Sequence, residues 1–347
     1  MKNSLVRAGL GATVVALATQ FAVAFPAVGH ADPAPGDSST RLAGKTVFLD
    51  PGHQGTGHNE NLSRQVSDGR GGTKDCQTTG MTTVNGVPEH TITWQVAQLV
   101  KTSLESLGAR VVLSRQDDTG WGGCVDDRAR AANDSHADVA VSIHADGGPA
   151  EGRGFHLIVP ELPIPDPVAD AVQSGPGRAA SASVRDAYLK YGSAPANYLA
   201  TDNGLQTRAD VAGPALTQVP DVFVEMGNGA NPEDAKLLES GEGQLAHAVA
   251  ITTGIVAFLF GTAVVPTSAP AQAVAPAAAM TSPAAPADGD GLMATLTGLL
   301  EPLLQTLGID AAHGADPVTA VTIDGLAREL VGIARTNGVG TIATAER

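Results

Sequence analysis

The stretch Thr46-Val47-Phe48-Leu49-Asp50-Pro51-Gly52-His53-Gln54-Gly55 runs from a short apolar segment into an Asp-Pro-Gly turn and delivers a histidine just beyond it. Such a run reads as a strand whose end presents the imidazole at a sheet edge, where α/β proteins bind ligands. A single histidine after a turn is more often an ordinary hydrogen-bonding residue than a metal ligand. Two further stretches change that weighting. Val139-Ala140-Val141-Ser142-Ile143-His144 is an apolar strand closed by histidine, and Val222-Phe223-Val224-Glu225-Met226-Gly227-Asn228 is one closed by glutamate. Three apolar strands that each end in a metal-binding or acid/base group point to one shared edge.

A helix is predicted to open at Val87-Pro88-Glu89, because proline suits a first turn and Ile92, Val96, Leu99, Val100, Leu104 and Leu107 recur at three- and four-residue steps until Gly108. Glu89 on that first turn suits the helix dipole, and the competing reading turns it toward His53 and His144. Residues 110–114 and 154–159 read as further strands. Residues 124–133 and 178–190 read as helices, the first with Arg128 and Arg130 among acidic neighbours. Residues 54–87 are rich in Gly, Thr, Asn and Asp without period, which is long for a connection unless it is functional or tethered. Residues 160–171 read as a loop and 198–220 as irregular. The almost continuously apolar stretch 244–265 has the length of a membrane span, but His247, Thr252, Thr253 and Gly254 and the lack of following basic residues favour a core helix packed on the sheet.

Lys2 and Arg7 followed by the small apolar run 8–24 read as a secretory signal, with cleavage after Gly29-His30-Ala31. Its removal takes two of the 21 basic residues and none of the 36 acidic ones, leaving a net charge of −17. Such a chain is repelled by nucleic acid, and any association with acidic surface polymers must come from specific contacts. Cys76 and Cys124 are the only cysteines, and an even count in an exported chain reads as one disulfide. That bridge ties the loop after His53 to the segment before the Arg128 helix.

Residues 32–43 read as a disordered lead-in, 44–262 as the folded catalytic body, 263–290 as a semi-extended Ala/Pro linker and 291–347 as a helical extension. The stripe Leu296, Leu299, Leu300, Leu303 and Leu304 suggests a helical hairpin that docks on the body or on a protein partner, without chemistry of its own. No stable membrane span is expected after signal removal, and a monomer is the expected state.

Zinc hydrolase sites commonly combine three protein ligands, an open position for water and a nearby carboxylate that is not a ligand. The sequence offers that count, with His53, Glu89 and His144 as ligands and Glu225 as the group that takes a proton from water and passes it to the leaving nitrogen. No two of these ligands share a compact motif such as His-Glu-x-x-His. Asp50-Pro51-Gly52-His53-Gln54-Gly55, the Pro88-Glu89 helix start, Arg128 with Ala132-Asn133, Ser142-Ile143-His144-Ala145-Asp146 and Val224-Glu225-Met226-Gly227-Asn228 together resemble the zinc-dependent N-acetylmuramoyl-L-alanine amidases of the Amidase_3 type, over about residues 44–261. The exported, disulfide-bearing form is similar to actinobacterial members.

The resemblance implies a three-layer α/β sandwich with a mixed sheet of about six strands flanked by helices, of the zinc amidase and exopeptidase kind. It implies Zn2+ held by His53, Glu89 and His144, and Glu225 as the catalytic glutamate. The implied reaction is hydrolysis of the amide between N-acetylmuramic acid and L-alanine in peptidoglycan or muropeptides, for wall remodelling, daughter-cell separation or fragment recycling, in the periplasm, the wall or outside the cell. Many members carry Gly-Phe-Leu-Ser-Asn after the catalytic glutamate, whereas this chain has Met226-Gly227-Asn228-Gly229-Ala230-Asn231, so the resemblance does not carry over the details of the substrate groove. Two alternatives share much of the pattern: a zinc peptidase cutting within the stem peptide, and a non-catalytic peptidoglycan-binding or activator protein.

Overall fold

The structure, a computed structural model, describes residues 40–264. The signal segment, most of the lead-in, nearly all of the linker and the helical extension lie outside the described residues. The chain forms β1 (Thr46–Pro51), β2 (Gln65–Ser67), β3 (Thr73–Asp75), α1 (Glu89–Ser106), β4 (Arg110–Leu113), α2 (Val125–Asp134), β5 (Val139–Asp146) and β6 (His156–Pro160). It continues with α3 (Pro167–Val172), α4 (Arg178–Lys190), β7 (Leu205–Arg208), α5 (Ala212–Leu216), β8 (Asp221–Asn228), α6 (Pro232–Glu239) and α7 (Gly241–Phe260).

Six strands make the mixed sheet that the resemblance implies, in the order β4-β1-β5-β8-β6-β7. β4, β1, β5 and β8 run parallel, β6 is antiparallel to β8, and β7 is parallel to β6. Parallel strands need cover on both faces, and side chains alternate between faces along each strand. Val47, Leu49, Val139, Val141, Ile143, Val222 and Val224 join residues of α1, α4 and α7 in the main core. The alternate positions Phe48, Asp50, Ala140, Ser142, His144, Phe223 and Glu225 line a cavity of about 490 Å3 together with Ala129 and Ala132 of α2 and Ala212 and Gly213 of α5. Small residues on those two helices leave the space that larger ones would fill.

Helix α7 has the hydropathy and length of a membrane span, yet 78% of that window is buried within the fold. It is the closing core helix that the polar interruptions suggest, ended by Gly261 in a left-handed conformation (φ 63°). Helix α1 begins at Glu89 as predicted, with Ile92, Val96, Leu99, Val100 and Leu104 buried.

Several local readings need correction. Leu42, assigned to the lead-in, is fully buried and donates its backbone N–H to Leu107 O at 2.7 Å, so the folded body starts earlier than residue 44. The loop 54–87 contains the β2–β3 hairpin. Residues 160–171 include most of α3, which Asp166 caps through Val168 and Ala169 N–H and which runs into α4 through a widened turn containing Pro176. Residues 198–220 contain β7 and α5. These elements are three to six residues long, too short for a period to show against turn-rich composition.

Cys76 and Cys124 form the expected disulfide, buried against Val66. The backbone there is also joined, Val125 N–H donating to Cys76 O at 2.9 Å. Closing a loop whose ends lie 48 residues apart stabilises by about 4 kcal/mol in the chain-entropy model. For a folded body of this size that corresponds to about 8–16 °C in Tm. Differential scanning calorimetry with and without a reductant checks this, and an unchanged Tm after verified reduction would show that the bridge does not constrain the unfolded chain.

Candidate active site

The site is assembled at the C-terminal edge of the parallel strands, and Asp50 fixes it from below. Ser114 Oγ donates to Asp50 Oδ1 at 2.6 Å, Arg128 Nη1 to the same oxygen at 2.8 Å, and Ser142 Oγ to Oδ2 at 2.9 Å. One carboxylate thereby ties β1 to the residue after β4, to α2 and to β5. Burial alone would raise its pKa; the Arg128 charge and the two serine hydroxyls outweigh that and hold it below the ordinary value.

Arg128 also donates to Pro51 O at 2.9 Å and to His53 O, while Arg115 donates to Pro51 O at 3.1 Å and to His90 O at 2.7 Å. Two buried guanidinium groups therefore hold the carbonyls of Pro51, His53 and His90 beside the turn. Arg128→Met would leave the Asp50 charge enclosed without its partner, a loss of about 3–5 kcal/mol. Urea denaturation reads it, and a variant as stable as the parent would show that Arg128 is not the strut described.

His53 itself has φ 59°, a left-handed conformation uncommon outside glycine and characteristic of functional sites. Its Nδ1 donates to Thr78 O at 3.0 Å, which leaves Nε2 facing Glu89 Oε2 at 3.0 Å. His144 Nδ1 lies 3.0 Å from Glu89 Oε1. Each Glu89 oxygen also accepts a backbone N–H, Oε2 from Met81 at 2.9 Å and Oε1 from Ala145 at 3.0 Å. The His144 ring stacks on Phe223, with centroids 4.4 Å apart and planes 8° from parallel. Glycines close the remaining space: a Cβ at Gly52 would run into the His144 ring, and one at Gly80 (φ +76°) would lie 2.7 Å from both Glu89 Oε2 and His53 Cδ2.

The structure thus brings His53, Glu89 and His144 together, with one potential donor atom from each lying within 4.8 Å of the others. Glu225 lines the same cavity. The two glutamates differ sharply. Burial would raise Glu89, but His53 and His144 hold it well below the carboxylate range. Burial pushes Glu225 well above it, and the Glu89 and Asp146 charges add to the effect. A pair of carboxyl groups driven apart in this way is the usual mark of divided roles. His53 is raised, because the Glu89 charge and hydrogen bond outweigh burial, and His144 is lowered by burial, which Glu89 only partly offsets.

The donor set suits zinc. Two imidazoles and a carboxylate are borderline ligands, and a tetrahedral ion with bonds of about 2.0–2.1 Å needs donor atoms about 3.3–3.4 Å apart. Each imidazole lies 3.0 Å from a different oxygen of the one carboxylate, and a donor atom from each of the three residues lies within 4.8 Å of the others. The Oε2 of Glu225 is enclosed and has no hydrogen-bond partner.

Arg115, Thr78 and Tyr198 escaped the sequence reading, and Asn228 entered it only as part of the stretch around Glu225. Arg115 and Thr78 carry no motif of their own. Asn228, fully buried, donates to Pro149 O at 2.7 Å and Gly152 O at 2.8 Å and so holds the turn after β5 in place. Tyr198 reaches Asp146 from a stretch read as irregular, its OH donating to Oδ2 at 2.9 Å.

A mixed sheet whose parallel strands deliver a compact His–Glu–His donor set and a separate carboxyl of opposite electrostatics to one edge defines a hydrolytic α/β domain with a site fit for a metal ion. The chain belongs to the Amidase_3 family of N-acetylmuramoyl-L-alanine amidases, whose profile matches residues 47–257. The N-acetylmuramoyl-L-alanine amidase Rv3717 of Mycobacterium tuberculosis (strain ATCC 25618 / H37Rv) is 43% identical over 238 residues, covering 69% of this chain and 94% of that protein. The crystal structure of the amidase Ami1 from Mycobacterium smegmatis is 44% identical and superposes with a TM-score of 0.60, covering 64% of this chain and all of that one (100%). The apo form of Ami1 from Mycobacterium abscessus gives 45% identity and a TM-score of 0.59, over 63% of this chain and 100% of that one.

Proposed function

We propose that this chain is an exported, zinc-dependent amidase in which His53, Glu89 and His144 hold the ion and Glu225 carries the proton. It hydrolyses the amide between the lactyl group of N-acetylmuramic acid and the L-alanine of the peptidoglycan stem. The observation that carries the site assignment is the convergence of three donor groups from three separate elements beside a carboxyl with its own, opposite electrostatics.

A zinc ion held by His53, Glu89 and His144 would supply a positive charge able to polarise the amide carbonyl and to make a neighbouring water more acidic. The Thr78 carbonyl holds the His53 proton on Nδ1 and frees Nε2 for the ion, as outer partners of ligating histidines do. The backbone N–H groups of Met81 and Ala145 keep Glu89 ionised and aimed. Glu225 removes a proton from water as its oxygen attacks the carbonyl carbon, and returns that proton to the nitrogen as the C–N bond breaks. The products are a free lactyl carboxylate and a free L-alanine amine.

Mass spectrometry of muropeptides digested by the zinc-loaded protein tests this reading. Release of intact stem peptide from N-acetylmuramic acid is the expected result, and cleavage within the stem would make the protein a peptidase. Metal analysis should return one zinc per chain.

The buried disulfide suits an oxidising compartment, in keeping with signal cleavage before Asp32 and with a substrate outside the cytoplasm. N-terminal sequencing of the exported protein checks the cleavage site. The extension 291–347 contributes no catalytic group in this reading; it docks on the body or on a protein partner, and the enzyme works as a monomer. Truncation after Val264 should therefore leave activity on soluble muropeptide within about twofold of the full chain. A truncated protein that binds zinc and folds but fails to cleave would place the extension in the active site.

A further inference from the structure

β6 runs antiparallel to β8 with His156 opposite Glu225, Leu157 opposite Val224 and Ile158 opposite Phe223. On the other side of β8, Glu225 is level with His144 of β5. Directly opposed residues project from the same face with Cβ atoms about 4.5–5.5 Å apart in an antiparallel pair. His144, Glu225 and His156 therefore form one row across three strands, with His156 on the far side of Glu225 from the ligands.

His156 is 1% exposed, and its Nδ1 is enclosed without a hydrogen-bond partner. The Oε2 of Glu225 is in the same condition. Glu225 also lines the catalytic cavity. Buried polar atoms are nearly always paired, because an unpaired one keeps the full cost of leaving water. Here two of them stand unpaired on directly opposed residues, and their chemistry is complementary. A neutral imidazole presents Nδ1 as donor or acceptor according to its tautomer, and a carboxyl oxygen serves the opposite part.

We propose that His156 is a positioning residue for the Glu225 carboxylate: in the working enzyme its Nδ1–H donates to Oε2 and so holds the other oxygen toward the ligand triad. The proposal rests on the reading of Glu225 as the proton carrier. A neutral partner is the right one for that task. An imidazolium would pull down the basicity of Glu225 along with orienting it, whereas a neutral N–H orients the carboxylate and leaves it able to take a proton. Burial keeps His156 neutral, holding its pKa down at about 4 against the opposing Asp146 charge, with Arg208 adding slightly to the lowering.

The test uses the full-length, zinc-loaded enzyme on a soluble muropeptide, with His156→Leu and His156→Asn as a matched pair of similar size. The leucine variant is expected to lose about 10- to 100-fold in kcat, the usual range for an outer partner of a catalytic group, with KM within about twofold and zinc content unchanged. Asparagine, whose amide nitrogen stands near the former Nδ1, should recover most of that loss. Glu225→Gln provides the second axis: residues that act as one unit are not additive, so His156→Leu should cost nothing further in that background.

Full activity of His156→Leu, or an equal loss in both backgrounds, would overturn the proposal while leaving Glu225 its role. A Glu225→Gln enzyme with wild-type turnover would instead remove the reading of Glu225 and the proposal with it. Should the leucine variant not fold, the nitrogen-15 spectrum of the unsubstituted protein decides: the proton of His156 is expected on Nδ1, and a proton on Nε2 overturns the idea.

Discussion

Glu225→Gln is expected to lower kcat by about 10²- to 10⁴-fold, the range for removing a positioned acid/base group, with zinc content and melting temperature close to those of the parent. The substitution keeps size and hydrogen-bonding reach and deletes only the ability to exchange a proton. Stability should hold, because burial and the Glu89 and Asp146 charges disfavour the ionised carboxyl, so an amide of the same shape removes a costly buried charge. A Glu225 that merely shaped the turn after β8 would behave in the opposite way, losing stability and keeping turnover. Steady-state kinetics, metal analysis and a thermal melt on one preparation separate the outcomes. Loss of zinc would move Glu225 into the ligand set and displace one of the other three residues from it.

His144→Ala should abolish both stoichiometric zinc and amidase activity. The imidazole is placed by three independent constraints: Phe223 stacked on one side, Glu89 Oε1 at 3.0 Å, and Gly52 allowing the ring close against the turn. A ring held in this manner loses little entropy on binding an ion, so its removal forfeits nearly the full strength of a ligand bond. The loss should reach activity before it reaches the fold, since the main core on the opposite face of the sheet is built from Val141, Ile143, Val222, Val224 and the three helices above them. Retention of one zinc per chain by purified His144→Ala would show the ligand set to be wrong.

The sheet was largely legible because each central strand carries its own signal, a mostly apolar run that leads to a histidine or glutamate, which in β1 lies beyond a turn and in β5 and β8 lies within the strand itself. His53, His144 and Glu225 were legible as candidates for the same reason and Glu89 from its helix start, although what sets His144 beside Glu225 is a register, and register is not visible in a single chain. The four-residue β7 and the three-residue hairpin strands were missed because alternation over so few residues cannot be told from chance. His156 was missed for a different reason. It sits in Phe155-His156-Leu157-Ile158 as a polar residue inside an apolar strand, without a turn behind it, and its meaning appears only when the antiparallel pairing sets it against Glu225. Arg115 illustrates a third case, for nothing in composition distinguishes an arginine that grips backbone carbonyls from one at the surface such as Arg130, which pairs with Asp126 and Asp127; Arg128 was legible only through the resemblance.

Much of what aims the ligands is main chain, namely the Thr78 carbonyl and the N–H groups of Met81 and Ala145, and main chain cannot be removed by substitution. Tolerance to sequence drift in the segment between His53 and Glu89 is therefore high at its exposed side chains and low at Cys76, which carries the disulfide, and at the closely packed glycines, Gly80 among them. Gly80 combines a backbone conformation that other residues avoid with an absent Cβ whose place the Glu89 carboxylate and the His53 ring already occupy. Laboratory drift of this segment under selection for activity should accordingly accept polar replacements, and changes in hairpin length, far more readily than a single added methyl group at position 80.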